Sequence, residues 1–69
     1  MITVIHNGYN IKYLDSDKQV EEFIASELEP HKNLSPKIIK NVRLDFKTQL
    51  IVYQYYTLYC EMFLIIKED

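Results

Sequence analysis

Apolar and polar positions change rhythm several times along the chain, and each change marks an element. Residues 2–6 and 9–13, Ile-Thr-Val-Ile-His and Tyr-Asn-Ile-Lys-Tyr, flank an Asn7-Gly8 pair and alternate with a period of two. Such alternation predicts half-buried strands. Asn-Gly is the preferred pair for a two-residue type I′ turn, because both central residues take positive φ. The pattern therefore predicts a hairpin in which His6 faces Tyr9, Val4 faces Ile11 and Ile2 faces Tyr13. These residues make one apolar face, and Thr3, Ile5, Asn10 and Lys12 make the other.

Further on the period lengthens. Val20, Phe23, Ile24 and Leu28 recur at helical spacing. Ser16 is placed as N-cap with Gln19 three residues later, a capping-box arrangement, and Asp15 and Asp17 suit the positive end of the helix dipole. Pro30 stops the helix, since a residue before proline avoids the α region. After a polar link over residues 29–35, Ser35-Pro36 reads as the N-cap and first position of a short helical turn. Val42, Leu44 and Phe46 then alternate with Arg43, Asp45 and Lys47, which predicts a strand with the three apolar residues inward. A continued helix through Ile38, Ile39, Val42 and Phe46 competes with it, and the length of the alternation favours the strand.

Residues 50–66 are apolar almost throughout. As one straight strand they would span ~56 Å, whereas a chain of this length has a radius of gyration of ~11 Å. The segment must bend or break, and Thr57 is the expected place. A helix ~26 Å long would also fit and would align Gln54, Thr57, Glu61 and Glu68, but the density of Ile, Val, Tyr and Phe favours strands. The expected fold class is α+β: ββα, a short helical turn, then two or three strands. That order gives a small, mostly antiparallel sheet with one main helix packed on one face. Residues 1–69 are expected to form one domain, because so short a chain buries only ~60% of its unfolded surface and cannot divide into two cores.

Composition narrows the chemistry. Cys60 is the only cysteine, so no disulfide closes within the chain, which fits a reducing compartment and a cytoplasmic protein. The first residues lack the basic and long apolar regions of a secretion signal. Gln54, Thr57 and Glu61 interrupt a run already shorter than the ~20 residues of a spanning helix, so no membrane partner is expected. Abundant Ile, Lys, Asn, Tyr and Phe with scarce Gly and Ala is the usage of an A+T-rich genome, such as a low-G+C bacterium or its phage.

His6, His31 and Cys60 stand alone, without the close ligand pairs of zinc sites, so no metal or other cofactor is expected. His6 reads as a cross-strand partner of Tyr9, and His31 as a solvated link residue. Cys60, inside an apolar run, reads as an inert buried thiol. With Ser16 and Ser35 used as caps and Gly8 the only glycine, neither a nucleophile with its base nor a phosphate loop is legible. The expectation is a non-enzymatic protein.

Charge and tyrosine point to partners. Residues 15–29 hold six acids against Lys18, a net of −5, whereas residues 30–49 hold five bases against Asp45, a net of +4. Both fit ordinary solvated faces, but an acidic helix also docks on basic protein surfaces and a basic stretch neutralises phosphates. If residues 51–59 form a strand, Ile51, Tyr53, Tyr55, Thr57 and Tyr59 share one face. With a single helix to cover the sheet, the tyrosines are expected on the uncovered side. The leading expectation is a small protein-interaction module, a regulator or inhibitor. It would act as a homodimer or on a protein partner through Tyr53, Tyr55 and Tyr59 with Asp17, Glu21 and Glu22 of the helix. The alternative is single-stranded nucleic-acid binding, with the tyrosines stacking bases and Lys37, Lys40, Arg43 and Lys47 on phosphates, against which stands an overall charge of −2.

Overall fold

The structure is a computed structural model that describes residues 1–29, 36–57 and 60–68. Five strands and one helix follow in the order β1 (Ile2–His6), β2 (Asn10–Leu14), α1 (Asp17–Leu28), β3 (Lys37–Arg43), β4 (Thr48–Tyr56) and β5 (Cys60–Glu68). The strands form one antiparallel sheet in the order β2-β1-β5-β4-β3. The fold is therefore α+β, dominated by its sheet, with the helix on one face.

The helix forms for the reasons its sequence announces. Ser16 is the N-cap and its Oγ accepts the Gln19 amide at 3.2 Å, while the Gln19 side chain accepts the Asp15 amide at 2.7 Å. Val20, Ile24 and Leu28 point into the core and Phe23 packs at its edge. They meet Ile2 and Val4 of β1, Ile51 and Tyr55 of β4, and Phe63 and Ile65 of β5. Phe63 is the centre of this cluster, with Phe23 and Tyr55 set edge-on to its ring at 6.2 and 5.6 Å.

The long apolar segment breaks where its length requires. β4 and β5 pair from Thr48↔Glu68 to Tyr56↔Cys60, with Thr57 at the reversal. The helical alternative for this segment is thereby set aside.

Three local expectations are corrected. The first hairpin pairs Ile2↔Leu14, Val4↔Lys12 and His6↔Asn10, one residue out of the expected register. Asn7 and Gly8 do take positive φ, and the Tyr9 amide bonds back to the His6 carbonyl at 3.3 Å. Tyr9 is then an extra loop residue, which turns β2 over: Asn10, Lys12 and Leu14 lie on the helix side, and Ile11 and Tyr13 on the other.

Second, the helical turn expected at Pro36 is absent. Strand β3 begins at Lys37 and ends at Arg43, with an irregularity between Ile38 and Lys40. Third, Leu44 and Phe46 do not face inward. They are exposed in the turn to β4, where the Asp45 carboxylate accepts the Lys47 and Thr48 amides at 2.7 and 2.8 Å. That local alternative competes with strand hydrogen bonding and ends β3 early. The expectations on Pro30, His31, Ser35 and Tyr59 lie outside the described residues.

Candidate interaction surface

Strand register fixes which side chains share the face opposite the helix, because directly paired residues point the same way. One row across the sheet reads Ile11, Ile5, Leu64, Val52 and Lys40, and the next reads Tyr13, Thr3, Ile66, Leu50 and Val42. Met62 and Gln54 follow in a third row beside Lys37. Nothing among the described residues covers this face. Its central side chains are half-buried only by their neighbours, and Ile11, Tyr13 and Met62 are exposed. The result is a continuous aliphatic surface, bordered by Lys37 and Lys40 along β3 and by Glu68 at one end of β5.

This reverses the expected place of the tyrosines. Tyr55 is buried under α1 at 6% exposure, and Tyr53 packs against the same core. Both faces of β4 are apolar, so alternation alone does not say which side the helix takes. Ile51 and Tyr55 go under it, leaving Leu50, Val52 and exposed Tyr56 on the open face. Burial raises the Tyr55 phenol above its ordinary pKa, with nearby Tyr53 adding to the effect.

The acidic residues expected at the interface, Asp17, Glu21 and Glu22, remain exposed. Asp17 reaches Lys67 of β5 at 2.7 Å, while Glu21 and Glu22 face solvent. The four basic residues are not brought together. Lys37 and Lys40 border the open face, whereas Arg43, paired with Gln49, lies on the helix side and donates to the Phe46 carbonyl at 3.3 Å. Lys47 stands over the Phe46 ring at 5.6 Å. Lys37 and Lys40 thus lie across the sheet from Tyr53 and Tyr55, and no combined stacking and phosphate track forms from these residues.

A cluster unforeseen in the sequence lies at one end of the core. His6 is buried, its ring parallel to that of Phe63 at 4.3 Å. Nε2 is 3.0 Å from Glu61 Oε1 and Nδ1 is 3.7 Å from Glu27 Oε2, while Glu27 Oε1 accepts from Asn10 Nδ2 at 3.1 Å. The expected contact with Tyr9 is replaced by this network, which ties β1, β2, β5 and α1 together. With so little of the imidazole exposed, the arrangement is suited to holding elements in place. The two carboxylates approach opposite ring nitrogens, and among the described residues no group of His, Cys, Asp or Glu is arranged to hold a metal ion. Cys60 is corrected as well: its thiol is exposed at the border of the open face and accepts from Gln54 Nε2.

Among the described residues no helix is long and apolar enough to cross a membrane. The class these features define is a small α+β protein with a one-sided antiparallel sheet. Compared with protein-family models, curated proteins and solved structures, the chain matches none.

Proposed function

We propose that this chain is a non-enzymatic protein-interaction module that works as a homodimer, two copies packing open face to open face. The observation that carries the reading is the continuous aliphatic surface of Ile5, Ile11, Leu50, Val52, Leu64 and Ile66. Transient partner sites are enriched in Tyr, Trp and Arg, whereas obligate homodimer interfaces resemble a domain core cut in half, which is the composition here. Size agrees. The molecule measures 36 × 21 × 21 Å, so its broad face offers roughly 750 Å², close to the ~800 Å² per partner of a stable interface. Two such sheets stacked ~10 Å apart make a sandwich with a shared core.

Face-to-face pairing leaves both helices on the outside, presenting Asp17, Glu21 and Glu22 to a basic surface on a larger protein. A small regulator or inhibitor works in this way, and an exposed unpaired thiol at Cys60 fits the reducing cytoplasm.

Light scattering across a concentration series tests the pairing. The expected mass is twice the 8.3 kDa of one chain, and Val52→Lys with Leu64→Lys is expected to give a monomer with unchanged far-UV circular dichroism. A wild-type monomer at high concentration, or a dimer indifferent to both lysines, removes the reading. A complex with single-stranded oligonucleotides that dissolves as salt rises would favour the nucleic-acid alternative instead.

A further inference from the structure

Strand β3 orders seven residues and buries none of them. Every side chain from Lys37 to Arg43 is exposed except that of Val42, which is half-buried. No β3 residue belongs to the core or packs against it, and among the described residues β4 is the only strand that β3 pairs with. Ordering a strand costs conformational entropy that burial of side chains usually offsets. Here only the ladder to β4 does so, and the outer edge keeps a row of backbone donors and acceptors open to another strand.

Charge says what that strand has to carry. β3 holds Lys37, Lys40 and Arg43 and no acid. Neither lysine has an ion pair or hydrogen bond among the described residues, and Arg43 gives one nitrogen to the Phe46 carbonyl. The bases lie on both sides of the sheet plane, since register puts Lys37 and Lys40 on the open side and Arg43 on the helix side. A surface laid on either face meets one set only, whereas a strand lying in the plane of the sheet reaches both. Ile38, 58% exposed on the helix side and paired with Tyr53, offers an apolar contact there. The opposite edge of the sheet differs: β2 carries Lys12 as its one charge, and its Asn10 side chain is bound to Glu27.

Lysines on an edge, with a register irregularity such as that between Ile38 and Lys40, are also how sheets keep unwanted strands away. The charges act against a second copy of β3, which would set three bases against three. They do not act against an acidic strand, to which the same lysines are complementary. Residues 40–43 keep regular register, which leaves a straight stretch of edge for pairing.

We propose that the outer edge of β3 takes up an extended acidic segment of a partner protein as a sixth strand. Main-chain hydrogen bonds run along the edge, carboxylates meet Lys37 and Lys40, and an apolar residue covers Ile38. Stacking two copies by their open faces leaves this edge at the rim, so the two interactions can be tested apart.

The probe is the capped peptide Glu-Val-Glu-Val-Glu-Val-Glu, which as a strand puts its acids on one side and its valines on the other. Titrated into the full chain and followed by backbone amide NMR, it is expected to give saturable shifts at residues 37–43 that weaken as salt rises. The counterpart with lysine for glutamate is expected to give none. Lys40→Gln is expected to weaken the acidic peptide about fivefold, the upper scale of one exposed ion pair. N-methylation of the three central residues removes their backbone donors while keeping every charge, and is expected to abolish binding, which separates strand addition from simple attraction. The proposal is overturned if the acidic peptide leaves the β3 amides unmoved, or if the N-methylated or the lysine peptide binds as well. It is overturned too if those amides shift with protein concentration alone, which would identify a second copy as the occupant, or if a single-stranded oligonucleotide moves them and the peptide does not. Light scattering reads the open-face dimer separately, so either interaction can fail without the other.

Discussion

Phe63 and Leu64 are neighbours on β5 and end up in different worlds. Phe63 is fully buried, with His6 stacked on its ring and Phe23 and Tyr55 edge-on to it. Leu64 sits in the row Ile5, Leu64, Val52 that nothing among the described residues covers. The same β5 backbone thus carries a finished core on one side and half a core on the other. Folding of one chain completes the helix side, and the proposed pairing is what would cover the other.

The largest expected effect breaks this comparison from the core side. Phe63→Ala is expected to cost ~3–5 kcal/mol, the usual toll of truncating a buried phenylalanine. That is the whole stability expected of a core this small, so thermal denaturation followed by circular dichroism should show no cooperative transition. Leu64→Ala should leave the folded chain within ~1 kcal/mol of wild type at concentrations where it is a monomer, because its side chain loses only neighbours on an exposed face. Equal losses at the two positions would erase the distinction between the faces.

Glu61→Ala comes next. It removes the carboxylate from buried His6 Nε2 and leaves a polar group unpaired, an expected loss of ~1–3 kcal/mol in urea unfolding. A neutral result would show that the imidazole finds another partner.

Two smaller effects depend on pH. Tyr55 has its phenol pKa raised by burial, so its contribution is fully present below the unfolded value of ~10 and is lost as pH rises through the folded one. Tyr55→Phe should flatten the alkaline limb of the stability profile. Asp45 is the opposite case. The Lys47 amide, the largest influence, holds its carboxyl below the ordinary value, so its contribution is present above ~3.9 and disappears as pH falls through the folded pKa. Asp45→Asn should therefore remove a small acid-labile increment, read as a smaller difference in melting temperature between pH 5 and pH 3.

How much of this was legible in the sequence depends on how far each signal reaches. The helix could be read in full because Ser16, Gln19 and the Val20–Ile24–Leu28 stripe all act within a few residues. The break between β4 and β5 followed from length alone. The order α+β with one main helix was readable for the same reasons. The side of β4 that meets the helix was not, since Tyr53 and Tyr55 on one face and Leu50 and Val52 on the other are equally apolar. β3 was placed late because the alternation through Phe46 belongs to a turn organised by Asp45. The His6 cluster could not be seen at all, as Glu61 lies 55 residues away and only the register of β1 on β5 brings the two together. The acidic helix face was legible as a charge run, whereas the open face emerged only once the helix had chosen its side.

Tyr9 carries a consequence of a different order. Loss of that one loop residue would restore a two-residue turn and roll β2 about its axis, sending Ile11 and Tyr13 beneath the helix and Asn10 and Lys12 to the outer surface. No residue of the strand would change, yet a greasy border would become a charged one. An in-frame deletion of a single codon is thus a ready-made route by which evolution can change the character of the open face, with loop length rather than side-chain identity as the heritable variable.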